Sequence, residues 1–159
     1  MLTKSKAQTQ KIAAKLAKKI ISEDVGRHAK VLALIGDLGS GKTAFTQGFI
    51  KSLGIKTHVP SPTFVIFRRY PIRTDKQLTT NDKRQKENRF KNVFHFDLYR
   101  IQKPKEIIDL DFKKIIKNSE NIVLIEWPEK ILKLLPKNTI KIFLSHSKNE
   151  KERAIEIKN

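Results

Sequence analysis

Two stretches of the chain carry apolar residues at every third or fourth position, with lysines and other polar residues between them. This spacing predicts an amphipathic helix over residues 7–21 and a second one over residues 44–53. The apolar positions that define the two helices are Ile12, Leu16, Ile20, Phe45, Phe49 and Leu53. Each helix therefore has one face suited to packing on a sheet.

Unbroken apolar runs lie elsewhere, at residues 31–35 and 122–125, and they predict strands buried on both faces of a sheet. Shorter, more polar segments predict strands that pair in antiparallel hairpins. These pairs are 63–70 with 93–100, and 139–144 with 153–157. A further helix is predicted over 104–118 with Pro104 at its first position, and a short helix ends at Leu135. The pattern indicates an α/β fold with a mostly parallel central sheet, flanking helices and antiparallel hairpins at the edges.

Residues 71–92 interrupt this pattern, because they are strongly charged and contain few apolar side chains. We interpret them as a loop insertion in a single domain that spans residues 1–159. A basic finger for RNA or a partner is the functional alternative, and a tolerated surface insertion is the interpretation that we favour.

The segment between the strand 31–35 and the helix 44–53 fits the phosphate-loop pattern G-x-x-x-x-G-K-[ST]. Its residues are Gly36, Asp37, Leu38, Gly39, Ser40, Gly41, Lys42 and Thr43. Glycines allow backbone N–H groups to wrap a phosphate chain, and the following helix adds its positive dipole end. Lys42 can reach the β- and γ-phosphates, and the Thr43 hydroxyl can bind Mg²⁺. The sequence therefore predicts a P-loop NTPase-like fold with a nucleotide site.

Acidic and hydroxyl residues elsewhere could complete that site. Glu126 ends the apolar run 122–125, where a phosphate-loop enzyme places an acid that holds Mg²⁺. The strand 93–100 alternates, and its predicted polar face carries His95, Asp97 and Tyr99. Ser61 and Thr63 could sense a γ-phosphate, although composition favours a plain proline turn at these positions.

Composition limits the remaining classes. The 159 residues include no cysteine, so thiol catalysis and disulfides are excluded. The apolar runs are too short to span a membrane, and we expect a cytoplasmic protein without a signal peptide. The net charge of +18 suggests a polyanion such as RNA, but the lysines are spread along the whole chain, which favours a generally basic surface.

Four motifs, in this order, resemble the TsaE (YjeE) family of bacterial ATPases, which act in tRNA threonylcarbamoyladenosine synthesis. They are the phosphate loop 36–43, Ser-Pro-Thr-Phe at 61–64, His-Phe-Asp-Leu-Tyr-Arg at 95–100 and Glu-Trp-Pro-Glu at 126–129. The resemblance implies an ATPase that binds ATP and Mg²⁺ and works with TsaD-like and TsaB-like proteins. It implies that hydrolysis drives turnover of that complex, which modifies adenine 37 of tRNA, so that tRNA is an indirect partner.

The resemblance also implies roles for individual residues. The loop from Gly36 to Thr43 would hold the phosphates, and Thr43 and Glu126 would hold Mg²⁺. The proposed catalytic residues are Asp97, Glu126 and Lys42. Further nucleotide-binding residues are Ser61, Thr63, Trp127, Glu129 and Arg153.

Two other function classes remain open on the sequence alone. A small-molecule P-loop kinase would need an arginine-bearing lid, for which Arg68 and Arg69 with the 71–92 loop are the only candidates, and no acceptor-binding pattern accompanies them. A nucleotide-gated RNA-binding module would use the basic charge. The motifs at 95–100 and 126–129 favour the ATPase.

Overall fold

The computed structural model describes residues 1–23, 26–56, 66–72, 88–147, 149 and 152–159. The strands are β1 (Leu2–Thr3), β2 (Lys30–Ile35), β3 (Phe67–Pro71), β4 (Asn92–Asp97), β5 (Asn121–Glu126), β6 (Ile140–His146) and β7 (Arg153–Lys158). The helices are α1 (Lys6–Glu23), α2 (Lys42–Ser52), α3 (Lys105–Ile108) and α4 (Phe112–Lys117), with a 3₁₀ helix at Glu129–Leu134. In the part of the chain that is described, no helix is both long and apolar enough to cross a membrane.

The described strands form one seven-stranded sheet in the order β1-β7-β6-β2-β5-β4-β3. The four central strands, β6, β2, β5 and β4, are mutually parallel. The outer pairings, β1 with β7, β7 with β6, and β3 with β4, are antiparallel. The predicted fold class is therefore confirmed, including the two antiparallel hairpins.

The sheet lies between two layers of helices, and each face has its own hydrophobic cluster. On one face α1 and α2 cover Leu32, Leu34 and Leu124. On the other face α3, α4 and the 3₁₀ helix cover Val123 and Ile125. Because β2 and β5 are buried from both sides, their sequences are apolar at consecutive positions, which explains the two unbroken runs.

The predicted helix over 104–118 is wrong as a single element. The chain forms two short helices, α3 and α4, separated by a turn in which Asp111 has a φ of 56°. A non-glycine residue in this left-handed region ends a helix, and the chain changes direction there. Both segments still bury apolar residues, Ile107 from α3 and Phe112 from α4, which is why the periodicity suggested one long helix.

At one edge of the sheet, β1 pairs with β7 through Leu2 and Thr3, and the sequence pattern did not predict this two-residue strand.

At the other edge, β3 and β4 form the predicted hairpin, and their pairing continues to Pro71 opposite Asn92. Residues 73–87 of the predicted insertion lie outside the described residues. Ile72 and Phe90 belong to the described ends of this insertion, and both are buried in the core. These two residues are therefore not part of a surface loop.

Candidate functional site

The phosphate loop connects the end of β2 to the start of α2, and its backbone requires glycine. Gly36 has a φ of 150°, and a Cβ atom there would lie 2.0 Å from the Leu144 carbonyl oxygen of β6. Gly41, immediately before α2, has a φ of 103°. Both conformations are rare for residues with side chains, so the chain can enter α2 in this way only with glycine.

Lys42 begins α2 and turns its side chain back over the loop. Its Nζ donates hydrogen bonds to the carbonyl oxygens of Gly36 at 2.6 Å and Asp37 at 2.8 Å. The same ammonium lies 3.6 Å from the centre of the Trp127 ring, a cation–π distance. Burial lowers the pKa of Lys42, and the negative charges of Glu126 and three further carboxylates oppose that shift.

Glu126 is the last residue of β5, and both of its carboxylate oxygens have partners. The Thr43 hydroxyl of α2 donates to Oε2 at 2.9 Å. Nε2 of His95, on β4, lies 2.8 Å from Oε1. Glu126 is only 1% exposed, so these contacts hold a buried carboxylate next to the first turn of α2. Sequence reasoning placed Thr43 and Glu126 in one site, and the fold brings them into direct contact.

Asp97 lies beside Glu126, because the two residues are register partners on the adjacent parallel strands β4 and β5. Its Oδ1 accepts a hydrogen bond from the Tyr99 backbone N–H at 3.1 Å, which orients the carboxylate. A cavity of about 330 Å³ opens at this end of the sheet. Its lining comprises Leu38, Gly39, Gly41, Lys42, Thr43, Ala44, Asp97, Tyr99, Glu126 and Trp127.

The other predicted site residues either interact with residues of the phosphate loop or lie outside the described residues. Arg153, at the start of β7, donates from Nε to the Gly39 carbonyl oxygen at 3.1 Å. Glu129 begins the 3₁₀ helix, and its charge raises the pKa of Lys42 against the effect of burial. The Ser40 hydroxyl is buried and has no hydrogen-bond partner within the described ranges. Ser61 and Thr63 lie outside the described residues.

Trp127 follows β5 and has a φ of 59°, a left-handed conformation that is unusual for a bulky residue. Its ring lies 5.1 Å from the ring of Tyr99, which is half exposed at the cavity rim. Strained backbone positions of this kind concentrate at functional sites. In this site the conformation places the indole against Lys42.

Two histidines of the site were not assigned by sequence reasoning. His95 was placed on a polar strand face with Asp97, yet it is fully buried against Glu126. His146, at the end of β6, donates from Nε2 to the Leu38 carbonyl oxygen at 3.1 Å. The two-residue alternation of β4 places His95 on the same strand face as Asp97. No local sequence signal connects His146 with the phosphate loop, which lies more than one hundred residues earlier in the chain.

The side chains at the cavity suit Mg²⁺ better than they suit a metal ion whose ligands all come from the protein. Among the described residues, no group of three or more His, Cys, Asp or Glu side chains could hold a metal ion. Mg²⁺ usually keeps several waters and takes one or two protein oxygens together with substrate phosphates. The Thr43 hydroxyl and the Glu126 carboxylate, already 2.9 Å apart at the mouth of the loop, offer that donor set.

Comparison with known proteins identifies the family. The model for "Threonylcarbamoyl adenosine biosynthesis protein TsaE" matches residues 3–155, which include every site residue described above. The chain belongs to the TsaE family. It is 34% identical over 148 residues to the tRNA threonylcarbamoyladenosine biosynthesis protein TsaE of Rickettsia prowazekii, covering 92% of this chain and 86% of that protein.

Bacillus subtilis also has proteins similar to this TsaE-family chain. The protein of the same name from Bacillus subtilis is 34% identical over 125 residues, covering 79% of this chain and 66% of that protein. The crystal structure of Bacillus subtilis YdiB superposes with a TM-score of 0.64 at 26% identity, covering 98% of this chain and 80% of that one. The likeness therefore extends over almost the whole fold.

Proposed function

We propose that this TsaE-family protein binds ATP and Mg²⁺ in the cavity beside the phosphate loop and hydrolyses the ATP in support of tRNA N6-threonylcarbamoyladenosine synthesis. The observation that carries the proposal is the direct contact of Thr43 with Glu126. It sets a magnesium-binding hydroxyl and a buried carboxylate at the N-terminus of α2, beside Lys42.

The phosphates of ATP would bind where the loop presents its backbone N–H groups and where the positive end of α2 favours negative charge. Lys42 would leave the carbonyl oxygens of Gly36 and Asp37 and turn to the β- and γ-phosphates. This exchange is favourable because an ammonium bonded to two neutral carbonyls gains two charged partners. Arg153, which donates to the Gly39 carbonyl oxygen, and Glu129, whose charge acts on Lys42, would contact other parts of the nucleotide.

Thr43 and Glu126 would hold Mg²⁺, and the metal when bound neutralises charge that develops on the phosphates. Asp97, next to Glu126 and oriented by the Tyr99 N–H, is the carboxylate placed to orient the attacking water. The rings of Trp127 and Tyr99 cover one side of the cavity and restrict the access of bulk water.

The partners we propose are TsaD-like and TsaB-like proteins, and hydrolysis would drive turnover of their complex on tRNA. The entrance to the cavity carries two large exposed side chains, Leu38 and Tyr99, which are 74% and 53% exposed. A partner that packs against this entrance would exclude water from the phosphates. We therefore expect hydrolysis to depend on the partners, with tRNA contacted through them.

The test is co-purification with candidate TsaD-like and TsaB-like subunits, followed by measurement of phosphate release. We expect ATP binding by the protein alone and faster phosphate release in the complex. Phosphate release that needs a small-molecule acceptor would indicate a kinase, and ATP binding without hydrolysis in any mixture would indicate a nucleotide-gated module. Either result would contradict the proposal.

A further inference from the structure

His95 is a fully buried titratable side chain for which the proposed chemistry has no direct use. It lies in the middle of β4, between the β3 residue Arg68 and the β5 residue Leu124. Its solvent exposure is 0%, and its Nε2 lies 2.8 Å from Glu126 Oε1. Within the described part of the chain, its other ring nitrogen, Nδ1, has no hydrogen-bond partner.

The hydrogen bond has a defined direction. An ionised carboxylate only accepts hydrogen bonds, so Nε2 of His95 carries the proton and donates it to Oε1. Burying a polar ring is costly unless it is hydrogen-bonded, and within the described part of the chain the contact with Glu126 is the hydrogen bond that the ring makes.

Two different elements hold the two oxygens of Glu126. His95 on β4 binds Oε1 from the sheet side, and Thr43 on α2 binds Oε2 from the loop side. A metal ion beside Thr43 would share Oε2 with the Thr43 hydroxyl, so that contact alone would not fix the carboxylate. The bond from His95 does not involve the metal-facing oxygen and can persist. The hydrogen bond from His95 would then be the contact that keeps the Glu126 carboxylate from rotating.

From this geometry we infer that His95 is a positioning residue: its Nε2–H holds Oε1 of Glu126 so that Oε2 stays directed at the metal position beside Thr43. The inference rests on the proposed function, because it assumes that Glu126 binds Mg²⁺. Hydrogen-bonding partners behind a metal ligand commonly contribute 10–100-fold in metal affinity, about 1.4–2.7 kcal/mol. His95 acts through Glu126 and does not touch the nucleotide.

The experiment measures Mg²⁺ affinity directly, without relying on hydrolysis. Trp127 is the only tryptophan of the chain and lies at the cavity, so its fluorescence reports events at the loop. The protein saturated with ADP is titrated with Mg²⁺, and ADP affinity is measured separately in EDTA. The variants are His95→Leu, which removes the donor, and His95→Gln, whose amide N–H can reach a similar position. The exposed His28 provides the matched control, His28→Gln.

We expect His95→Leu to weaken Mg²⁺ binding about 10–100-fold while ADP affinity in EDTA stays within about threefold of wild type. We expect His95→Gln to recover most of the loss and His28→Gln to behave as wild type. In the Glu126→Gln background, adding His95→Leu should cause no further loss, because the residue through which His95 acts is already altered. High Mg²⁺ should restore most hydrolysis in His95→Leu.

Unchanged Mg²⁺ affinity in a folded His95→Leu variant would overturn the inference while leaving the proposed function intact. Equal losses in the wild-type and Glu126→Gln backgrounds would also overturn it, because His95 would then act independently of Glu126. If the leucine variant does not fold, His95→Asn replaces it, since that shorter side chain keeps polarity but draws the donor away from Oε1. A wild-type protein that binds ADP with no Mg²⁺ response would contradict both proposals.

Discussion

Lys42 places a buried ammonium group in the candidate site. Burial lowers its pKa, yet two backbone carbonyls and the Trp127 ring keep the ammonium in place above the loop. The ammonium is thereby held above the loop before a phosphate binds. Because the pKa of Lys42 is lowered from 10.5, its ammonium loses its charge at a lower pH than that of an ordinary lysine. Nucleotide affinity should therefore fall as the pH rises toward 10.5.

Replacing Lys42 with alanine should weaken ATP binding by about 10–100-fold, because charge-assisted hydrogen bonds to the phosphates are lost. Folding should not suffer, since a desolvated charge is also removed. Calorimetric titration with ATP measures the affinity. Lys51→Ala, an exposed change in the last turn of the same helix, is the control. Wild-type affinity in a folded Lys42→Ala variant would contradict the phosphate-loop assignment.

Glu126→Gln should retain most ATP binding but reduce partner-stimulated hydrolysis by about tenfold or more, because an amide is a poor ligand for Mg²⁺. Asp97→Asn should behave similarly if Asp97 orients water. Phosphate release by the complete complex is the measurement, and Glu156→Gln on the exposed surface of β7 is the control. Unchanged hydrolysis in either variant would remove that residue from the mechanism.

At the scale of elements, the packing of α1 on α2 depends on one glycine. A Cβ atom at Gly48 would lie 2.4 Å from the Gln10 Cα and 2.7 Å from the Gln10 carbonyl oxygen. These are backbone atoms, so the two helices would have to separate. Since α2 carries Lys42 and Thr43 on its first turn, their separation would also disturb the phosphate loop.

Gly48→Ala should therefore lower the free energy of unfolding by about 1–3 kcal/mol, although alanine favours a helix by about 1 kcal/mol over glycine. Thermal and urea unfolding measure the change. Lys51→Ala, which is exposed on α2, serves here as a helix control without a packing consequence. Greater stability in Gly48→Ala would show that the helices adapt to the extra methyl group.

The first turn of α3 contains a carboxylate that is hydrogen-bonded back to the residues before the helix. Glu106 Oε1 accepts hydrogen bonds from the backbone N–H groups of Lys103 at 2.7 Å and Gln102 at 2.9 Å. These bonds, chiefly the one from Lys103, lower the pKa of Glu106 below 4.5. The stabilisation is therefore complete above pH 4.5 and is lost as pH falls through the lowered pKa.

We expect amide hydrogen exchange at Gln102 and Lys103 to accelerate below pH 4.5 relative to its intrinsic rate. In Glu106→Gln the neutral amide oxygen still accepts, but more weakly, so the exchange should already be faster at neutral pH and should lose the acid transition. Glu120→Gln is a comparable acidic surface change elsewhere. The same acid transition in Glu106→Gln would assign it to another group.

At the scale of the whole molecule, which has a net charge of +18, two segments that could contact a polyanion differ in charge. Helix α1 contains five lysines and one glutamate, a net charge of +4. Residues 75–87 contain four lysines or arginines and three acidic residues, a net charge of +1. Residues 75–87 are therefore the weaker candidate for a contact with tRNA.

Replacing residues 75–87 with a short Gly-Ser linker should leave ATP binding, thermal stability and hydrolysis with the partners nearly unchanged. Binding of tRNA by the complete complex should also keep its salt dependence, because few phosphate contacts are removed. Filter binding at several salt concentrations measures this. A flatter salt dependence with weaker tRNA binding would identify the segment as a basic finger, and Lys11→Gln on α1 gives a single-charge comparison.

The amino-acid pattern by itself determined the buried strands, the two long helices and the phosphate loop, because these depend on spacing within one segment. The apolar run before Gly36 and the periodic helix after Thr43 are local features, and so is Glu126 at the end of the run 122–125. Even the antiparallel hairpins could be predicted, because their strands alternate in the expected way.

Only the tertiary structure decided which distant residues meet. The register of β4 beside β5 places Asp97 next to Glu126, and it turns His95 from a presumed polar-face residue into the buried partner of that carboxylate. Asp111 divides the expected helix through a backbone conformation that periodicity does not encode. The edge strand β1 is too short for any pattern and forms because β7 offers unpaired backbone groups. Local sequence thus selects the elements, whereas strand order and register bring their side chains into one site.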